Sequence, residues 1–86
     1  MATYEVQISR SAERQLARLD SGTQRRIAAT MLSLAKNPRP RGCRKLIGYD
    51  DVFRVRVGRY RLLYSVSDET VVIVILKVGH RRDVYR

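Results

Sequence analysis

The chain has no tryptophan, and histidine and cysteine each occur once, as His80 and Cys43. A lone cysteine excludes an internal disulfide and fits a reducing compartment. One histidine and one cysteine fall short of the ligands that a zinc site needs. Beside Arg44, the Cys43 thiol is a weak candidate for a nucleophile. Acidic residues are scarce: 8 Asp+Glu stand against 18 Lys+Arg. Asp50 and Asp51 are adjacent but have no further acids clustered around them, so they read as turn residues rather than metal ligands. Long apolar runs are missing too. The longest, Val71–Leu76, is far below the ~20 residues of a membrane-spanning helix. No basic segment followed by an apolar stretch opens the chain, so no signal peptide is visible, and a soluble cytoplasmic protein without a membrane partner is expected. Neither Gly-x-Ser-x-Gly nor a glycine-rich phosphate loop occurs, which removes two common catalytic frameworks.

What remains is a small, strongly basic globule. Its 86 residues suit one domain spanning 1–86, and an apolar fraction of 44% is ordinary for a folded core. The formal net charge of +10 speaks to partners rather than to fold. Nucleic acid is the first candidate, an acidic protein the second and an anionic membrane the third.

Tyr4-Glu5-Val6-Gln7-Ile8 alternates polar and apolar residues, predicting a strand with Tyr4, Val6 and Ile8 inward. From about Ser11 the period changes to that of a helix, with Ala12, Leu16 and Leu19 in one stripe. Asp20-Ser21-Gly22-Thr23 interrupts it and offers Thr23 as the next cap. A second helix carries Ile27, Ala28, Met31, Leu34 and Ala35 on a broad apolar face, and Asn37-Pro38-Arg39-Pro40 ends it. Arg39, Arg41, Arg44 and Lys45 then form a basic loop, either a solvated stretch or a phosphate-steering one.

Phe53 to Tyr64 alternates arginine with apolar residues on both sides of Gly58. This predicts a β-hairpin with Gly58-Arg59 as its two-residue loop. Val57 then pairs with Tyr60, Val55 with Leu62 and Phe53 with Tyr64 on one face. Arg56 stands opposite Arg61 on the other face, with Arg54 two residues along. Like charges placed directly opposite destabilise a sheet, so this face has little structural justification and a clear use in holding a polyanion. After a turn at Ser67–Thr70, Val71–Leu76 is apolar on both faces, as a central strand would be. An odd-length loop would set Lys77 beside Arg61, whereas an even one would bury it; the odd loop is expected, because an unpaired buried lysine is costly. The predicted order is β-α-α-β-β-β. It is an α+β fold with two N-terminal helices packed on one face of a small, mainly antiparallel sheet, leaving the face of Arg54, Arg56 and Arg61 uncovered.

A turn at Gly79 would bring His80, Arg81, Arg82 and Tyr85 near those arginines. Such a set suits RNA. Guanidinium forks match phosphate oxygens, and a tyrosine ring can stack on a base. RNA carries its own nucleophile in the 2′-hydroxyl, and in-line attack adds negative charge to the phosphate oxygens that pre-oriented arginines stabilise. Neither metal nor other cofactor is required. Arginine is a poor base, with a pKa above ~12, so His80, with a reference value of ~6.5, is the candidate proton carrier. Arg59, Lys77 and Arg82 complete the expected nucleic-acid contacts.

Leu46-Ile47-Gly48-Tyr49, Phe53-Arg54-Val55-Arg56-Val57, Tyr60-Arg61-Leu62-Leu63-Tyr64 and Val78-Gly79-His80-Arg81-Arg82-Asp83-Val84-Tyr85 together resemble the RelE/ParE toxin superfamily, and RelE more than ParE. The resemblance implies a ribosome-dependent endoribonuclease that cuts mRNA in the A site, with a RelB-like antitoxin as partner. It implies catalytic roles for Arg54, Arg56, Arg61, Arg81 and Tyr85. Arg54 and Arg56 fall where the best-known RelE toxin has lysines, a departure that removes a possible base. The alternatives are a ParE-like inhibitor of DNA gyrase and a basic nucleic-acid-binding module without chemistry.

Overall fold

The two amphipathic stripes become helices that lie on one face of a five-stranded sheet. The computed structural model describes residues 3–80. In chain order the elements are β1 (Glu5–Ile8), α1 (Arg10–Ala17), α2 (Ser21–Lys36), β2 (Arg44–Lys45), β3 (Val52–Val57), β4 (Tyr60–Ser67) and β5 (Val72–His80). The strands are ordered β1-β5-β4-β3-β2, with β1 parallel to β5 and all other pairs antiparallel. The α+β class and the helical layer match the sequence pattern. The short strand β2 does not: it falls in what reads as a basic loop, because two residues are too few to display alternation.

Capping explains where the helices begin. The Ser9 hydroxyl accepts the Ala12 N–H at 3.1 Å and donates to the Leu76 carbonyl at 3.0 Å, so one side chain starts α1 and ties it to β5. Asp20, not Thr23, caps α2. Its carboxylate accepts the Thr23 N–H at 3.0 Å and the Thr23 hydroxyl at 2.6 Å, placing Thr23 inside the first turn.

Ala12, Ile27, Met31 and Leu34 from the helices pack on Phe53, Val57, Leu62, Tyr64, Ile73 and Ile75 from the sheet. Each fully buried aliphatic side chain of this kind contributes about 1.5–3 kcal/mol. The Tyr64 ring is fully buried, and its hydroxyl donates to the Pro38 carbonyl at 2.8 Å. Burial raises the Tyr64 pKa well above the usual phenol range, with the nearby Cys43 adding to the shift. Two expected core positions lie outside. Ala28 is exposed because it is one step around the helix from the Ile27, Met31, Leu34 stripe. Ile8 is 38% exposed, at the end of an edge strand that pairs only with β5.

β5 is an interior strand, next to the edge, and is only partly flanked by β1, which pairs with Val72 through Ile75. Beyond that point α1 takes over. The Ser9 N–H donates to the Ile75 carbonyl at 2.9 Å, and the Val78 N–H donates to Gln15 Oε1 at 2.7 Å. The helix therefore supplies the partners that a neighbouring strand would have given.

The β4–β5 turn has four residues, 68–71, not the odd number expected. Parity is set instead by a bulge: Tyr64 pairs with Ile75 and Leu63 with Lys77, so Leu76 is the extra residue. A one-residue slip moves every following side chain to the other face. Without the bulge Lys77 would point into the core; with it, Lys77 joins the uncovered face, diagonal to Arg61.

Gln15→Leu removes the acceptor for the Val78 N–H while preserving size. It is expected to lower unfolding stability by about 1–2 kcal/mol, measured by chemical denaturation, as a part-buried donor loses its partner.

Candidate functional site

The β3–β4 hairpin turns through Gly58 and Arg59. Gly58 has φ 61°, while Arg59 keeps an ordinary negative φ. This matches a II′-type turn, in which glycine takes the first central position. A Cβ on Gly58 would lie 2.8 Å from the Arg26 guanidinium, the end of a flexible side chain that can move aside, so the positive φ is what calls for glycine. The turn sets the register Val57↔Tyr60, Arg56↔Arg61, Val55↔Leu62, Arg54↔Leu63 and Phe53↔Tyr64.

On the face away from the helices, two rows of side chains cross the sheet. One runs Arg44–Arg54–Leu63–Lys77, and the other runs Arg56–Arg61–Gly79. Arginine thus faces arginine twice, at Arg44↔Arg54 and Arg56↔Arg61. Arg61 is only 8% exposed, Arg54 and Lys77 are half-buried, and Arg44 and Arg56 are exposed. The face thus ranges from a nearly buried guanidinium at Arg61 to exposed ones at Arg56 and Arg44. Arg41, Gly42, Arg44, Arg54 and Arg56 line an open depression of about 390 Å³ beside these rows.

The other sequence-predicted residues separate into groups. Arg41 and Arg44 belong to the arginine face. Lys45 stands opposite Phe53, on the helix side at the sheet edge. Arg59 is exposed in the hairpin turn. Arg39 does not reach the face. Its guanidinium makes a two-point contact with the Asp68 carboxylate at 2.9 and 3.3 Å and lies 5.2 Å from the centroid of the Phe53 ring. The Tyr4 hydroxyl donates to the same carboxylate at 2.6 Å. Arg39 is a clasp between the end of α2 and the β4–β5 turn.

His80 is also set apart. No turn occurs at Gly79: β5 continues through it, with Gly79 opposite Arg61 and His80 opposite Tyr60. Adjacent strand residues point to opposite faces, so His80 leaves from the helix side, its ring edge-on to Tyr60 with centroids 5.8 Å apart. Arg81, Arg82 and Tyr85 lie outside the described residues. The residue underrated on sequence is Arg44. Its pairing with Arg54 depends on a two-residue strand, and the only signal was a basic residue preceding the hairpin.

The architecture is that of a small basic α+β protein with two helices on one face of a mixed sheet and opposed arginines on the other. The family model described as "ParE toxin of type II toxin-antitoxin system, parDE" matches residues 6–85. The chain belongs to the RelE/ParE toxin superfamily of type II toxin–antitoxin systems. It is 37% identical over 91 residues to "Toxin RelG" of Mycobacterium tuberculosis, with 96% of this chain and 97% of that protein aligned. It is 28% identical over 80 residues to "mRNA interferase toxin RelE" of Escherichia coli, spanning 91% of this chain and 83% of that protein. A chain of the archaeal RelE–RelB complex from Pyrococcus horikoshii superposes with a TM-score of 0.84 at 35% identity, covering 94% of this chain and 98% of that one.

The Arg39–Asp68 clasp carries a pH signature. Hydrogen bonds from Arg39 and Tyr4 hold the Asp68 carboxyl below the usual carboxylate value. A depressed folded pKa gives stability that is complete above the unfolded value of ~4 and is lost as pH falls through the folded value. Denaturation midpoints measured between about pH 6 and 2 should therefore fall less steeply for Asp68→Asn than for the parent chain.

Proposed function

We propose that the protein is the mRNA-cleaving toxin of a RelBE-type pair, a ribosome-dependent, metal-independent endoribonuclease. The observation that carries this reading is the direct opposition of Arg56 and Arg61 on a sheet face without helical cover, with Arg54 one row away. The exposed Arg56 and half-buried Arg54 can grip the oxygens of one phosphodiester, with the largely buried Arg61 adding its charge from behind. The 2′-hydroxyl beside that phosphate attacks in line, the bond to the 5′ oxygen breaks, and the products are a 2′,3′-cyclic phosphate and a 5′-hydroxyl. Negative charge accumulates on the phosphate oxygens in the transition state, where fixed guanidiniums stabilise it more than they do the ground state. Arginine remains protonated throughout, so the contribution of Arg54, Arg56 and Arg61 is electrostatic. His80 leaves the strand from the other face, which argues against a proton shuttle at the phosphate from its position in β5. Arg81 and Tyr85 are proposed to complete the site on the strength of the family resemblance.

The likeness to the toxin of a RelE–RelB complex supports a RelB-type antitoxin as partner. The excess of positive charge suits an acidic antitoxin segment laid over the arginine face. A ParE-like action on DNA gyrase is the second reading, favoured by the description of the family model.

Inducible expression followed by mapping of mRNA ends distinguishes the two. Breaks in phase with the reading frame are expected; intact mRNA with damaged or relaxed DNA would sink the nuclease reading. Arg56→Ala, at an exposed position, is expected to abolish growth arrest and mRNA breakage while leaving the circular dichroism spectrum unchanged. Arg61→Lys retains charge without the planar fork and is expected to reduce cleavage by at least about tenfold. His80→Gln should retain cleavage, with no histidine-like inflection lost from the pH–rate profile.

A further inference from the structure

The turn joining β2 to β3 holds two large apolar side chains in water beside the arginine face. The Tyr49 N–H donates to the Leu46 carbonyl at 3.3 Å, and Gly48 has φ 90°. These are the features of a type II turn, whose third position favours glycine. The Leu46 N–H also donates to the Val52 carbonyl at 2.8 Å, closing the base of the loop. Ile47 at its tip is 97% exposed and Tyr49 is 58% exposed. A turn held at both ends and bearing a half-exposed aromatic ring is a fixed projection, not a collapsed loop.

Three adjoining depressions link this projection to the arginines. The first, lined by Arg41, Arg44, Arg54 and Arg56, shares Arg44 and Arg54 with a second of about 540 Å³ that reaches Leu46 and Ile47. The second shares Lys45, Leu46 and Ile47 with a third of about 390 Å³, which ends at Gly48, Tyr49 and Asp50. The trough thus runs from the Arg56–Arg61 row to Tyr49. Along it four arginines and Lys45 are met by one acid, Asp50, at its far end.

We propose that this trough seats a second stretch of single-stranded RNA beyond the gripped phosphate, with Arg44 on its backbone and the Tyr49 ring against the face of a nucleobase. The inference rests on the RNA-cleaving reading and adds to it a base-contacting residue. Charge complementarity chooses the occupant: a polyanion matches the basic floor, and an unstacked base matches the half-exposed ring at its end. Backbone contacts to guanidiniums combined with stacking on aromatic side chains is the general pattern for single strands. Stacking strength differs among bases, so Tyr49 would bias which nucleotide occupies the far end of the trough.

The test measures fluorescence anisotropy of the full chain with two fluorescein-labelled RNA decamers, one of adenylates and one of abasic sugars, across a salt series. Tyr49→Ala is expected to weaken oligoadenylate binding about tenfold and leave the abasic decamer unaffected, while Tyr49→Phe binds as the parent does. Arg44→Ala should weaken both decamers and reduce the slope of log affinity against log salt by about 0.7, one phosphate contact on a single strand. Tyr49 is exposed, and an unchanged circular dichroism spectrum would verify the fold of its variants. If Tyr49→Ala binds oligoadenylate like the parent, or loses both decamers equally, the base contact is overturned. If Arg56→Ala weakens RNA binding while Tyr49→Ala does not, only this extension falls. If Arg56→Ala also leaves RNA binding intact, the arginine-face reading falls with it.

Discussion

The pairing of β3 with β4 forces Arg56 against Arg61, and most of the architecture can be understood as what makes that pairing tolerable. Two guanidiniums in register repel, and β2 repeats the arrangement by setting Arg44 against Arg54. Among the described residues, no helix packs on that face. The stabilisation comes from the reverse side of the same strands. Phe53, Val57, Leu62 and Tyr64 are buried there under Ile27, Met31 and Leu34. In β3 and β4, then, one face carries the helix-covered core while the other carries the arginines together with the buried Val52 and Leu63.

Lys77 illustrates how finely that division is kept. The β4–β5 turn has the wrong parity to put it on the charged face, and a single bulged residue, Leu76, corrects this. The bulge lies beyond the last residue of β5 that pairs with β1, in the stretch where α1 side chains satisfy the strand edge. A strand paired on both edges over its whole length would accommodate the irregularity less readily, because both ladders would have to break together. Ser9 and Gln15 thus connect the start of the fold to the geometry of the charged face.

The basic residues divide into those that serve the fold and those that do not. Arg39 is fastened to Asp68 and laid over Phe53. Arg41, Arg44, Arg54 and Arg56 line an open depression. Net charge alone makes no distinction between these two kinds of arginine. Arg39 has a carboxylate partner in the folded state, whereas Arg41, Arg44, Arg54 and Arg56 front a depression that is open to a ligand.

Alternation from Phe53 to Tyr64 was enough to establish the hairpin, its register, its two-residue turn and the arginine face, because strand periodicity is local and survives in the sequence. Helical stripes established α1, α2 and their burial for the same reason. Tertiary structure decided what depends on distant partners. A two-residue strand has no period to read, so the Arg44↔Arg54 pair needed the sheet to form. The cap of α2 went to Asp20 because a carboxylate could reach two donors at once, which spacing did not rank above Thr23. Arg39, expected in a basic loop, is instead tied to the fold because Asp68, far along the chain, lies within reach of its fork. His80 followed its strand to the opposite face because glycine permits a turn at position 79 without requiring one, and pairing with Arg61 kept the backbone straight.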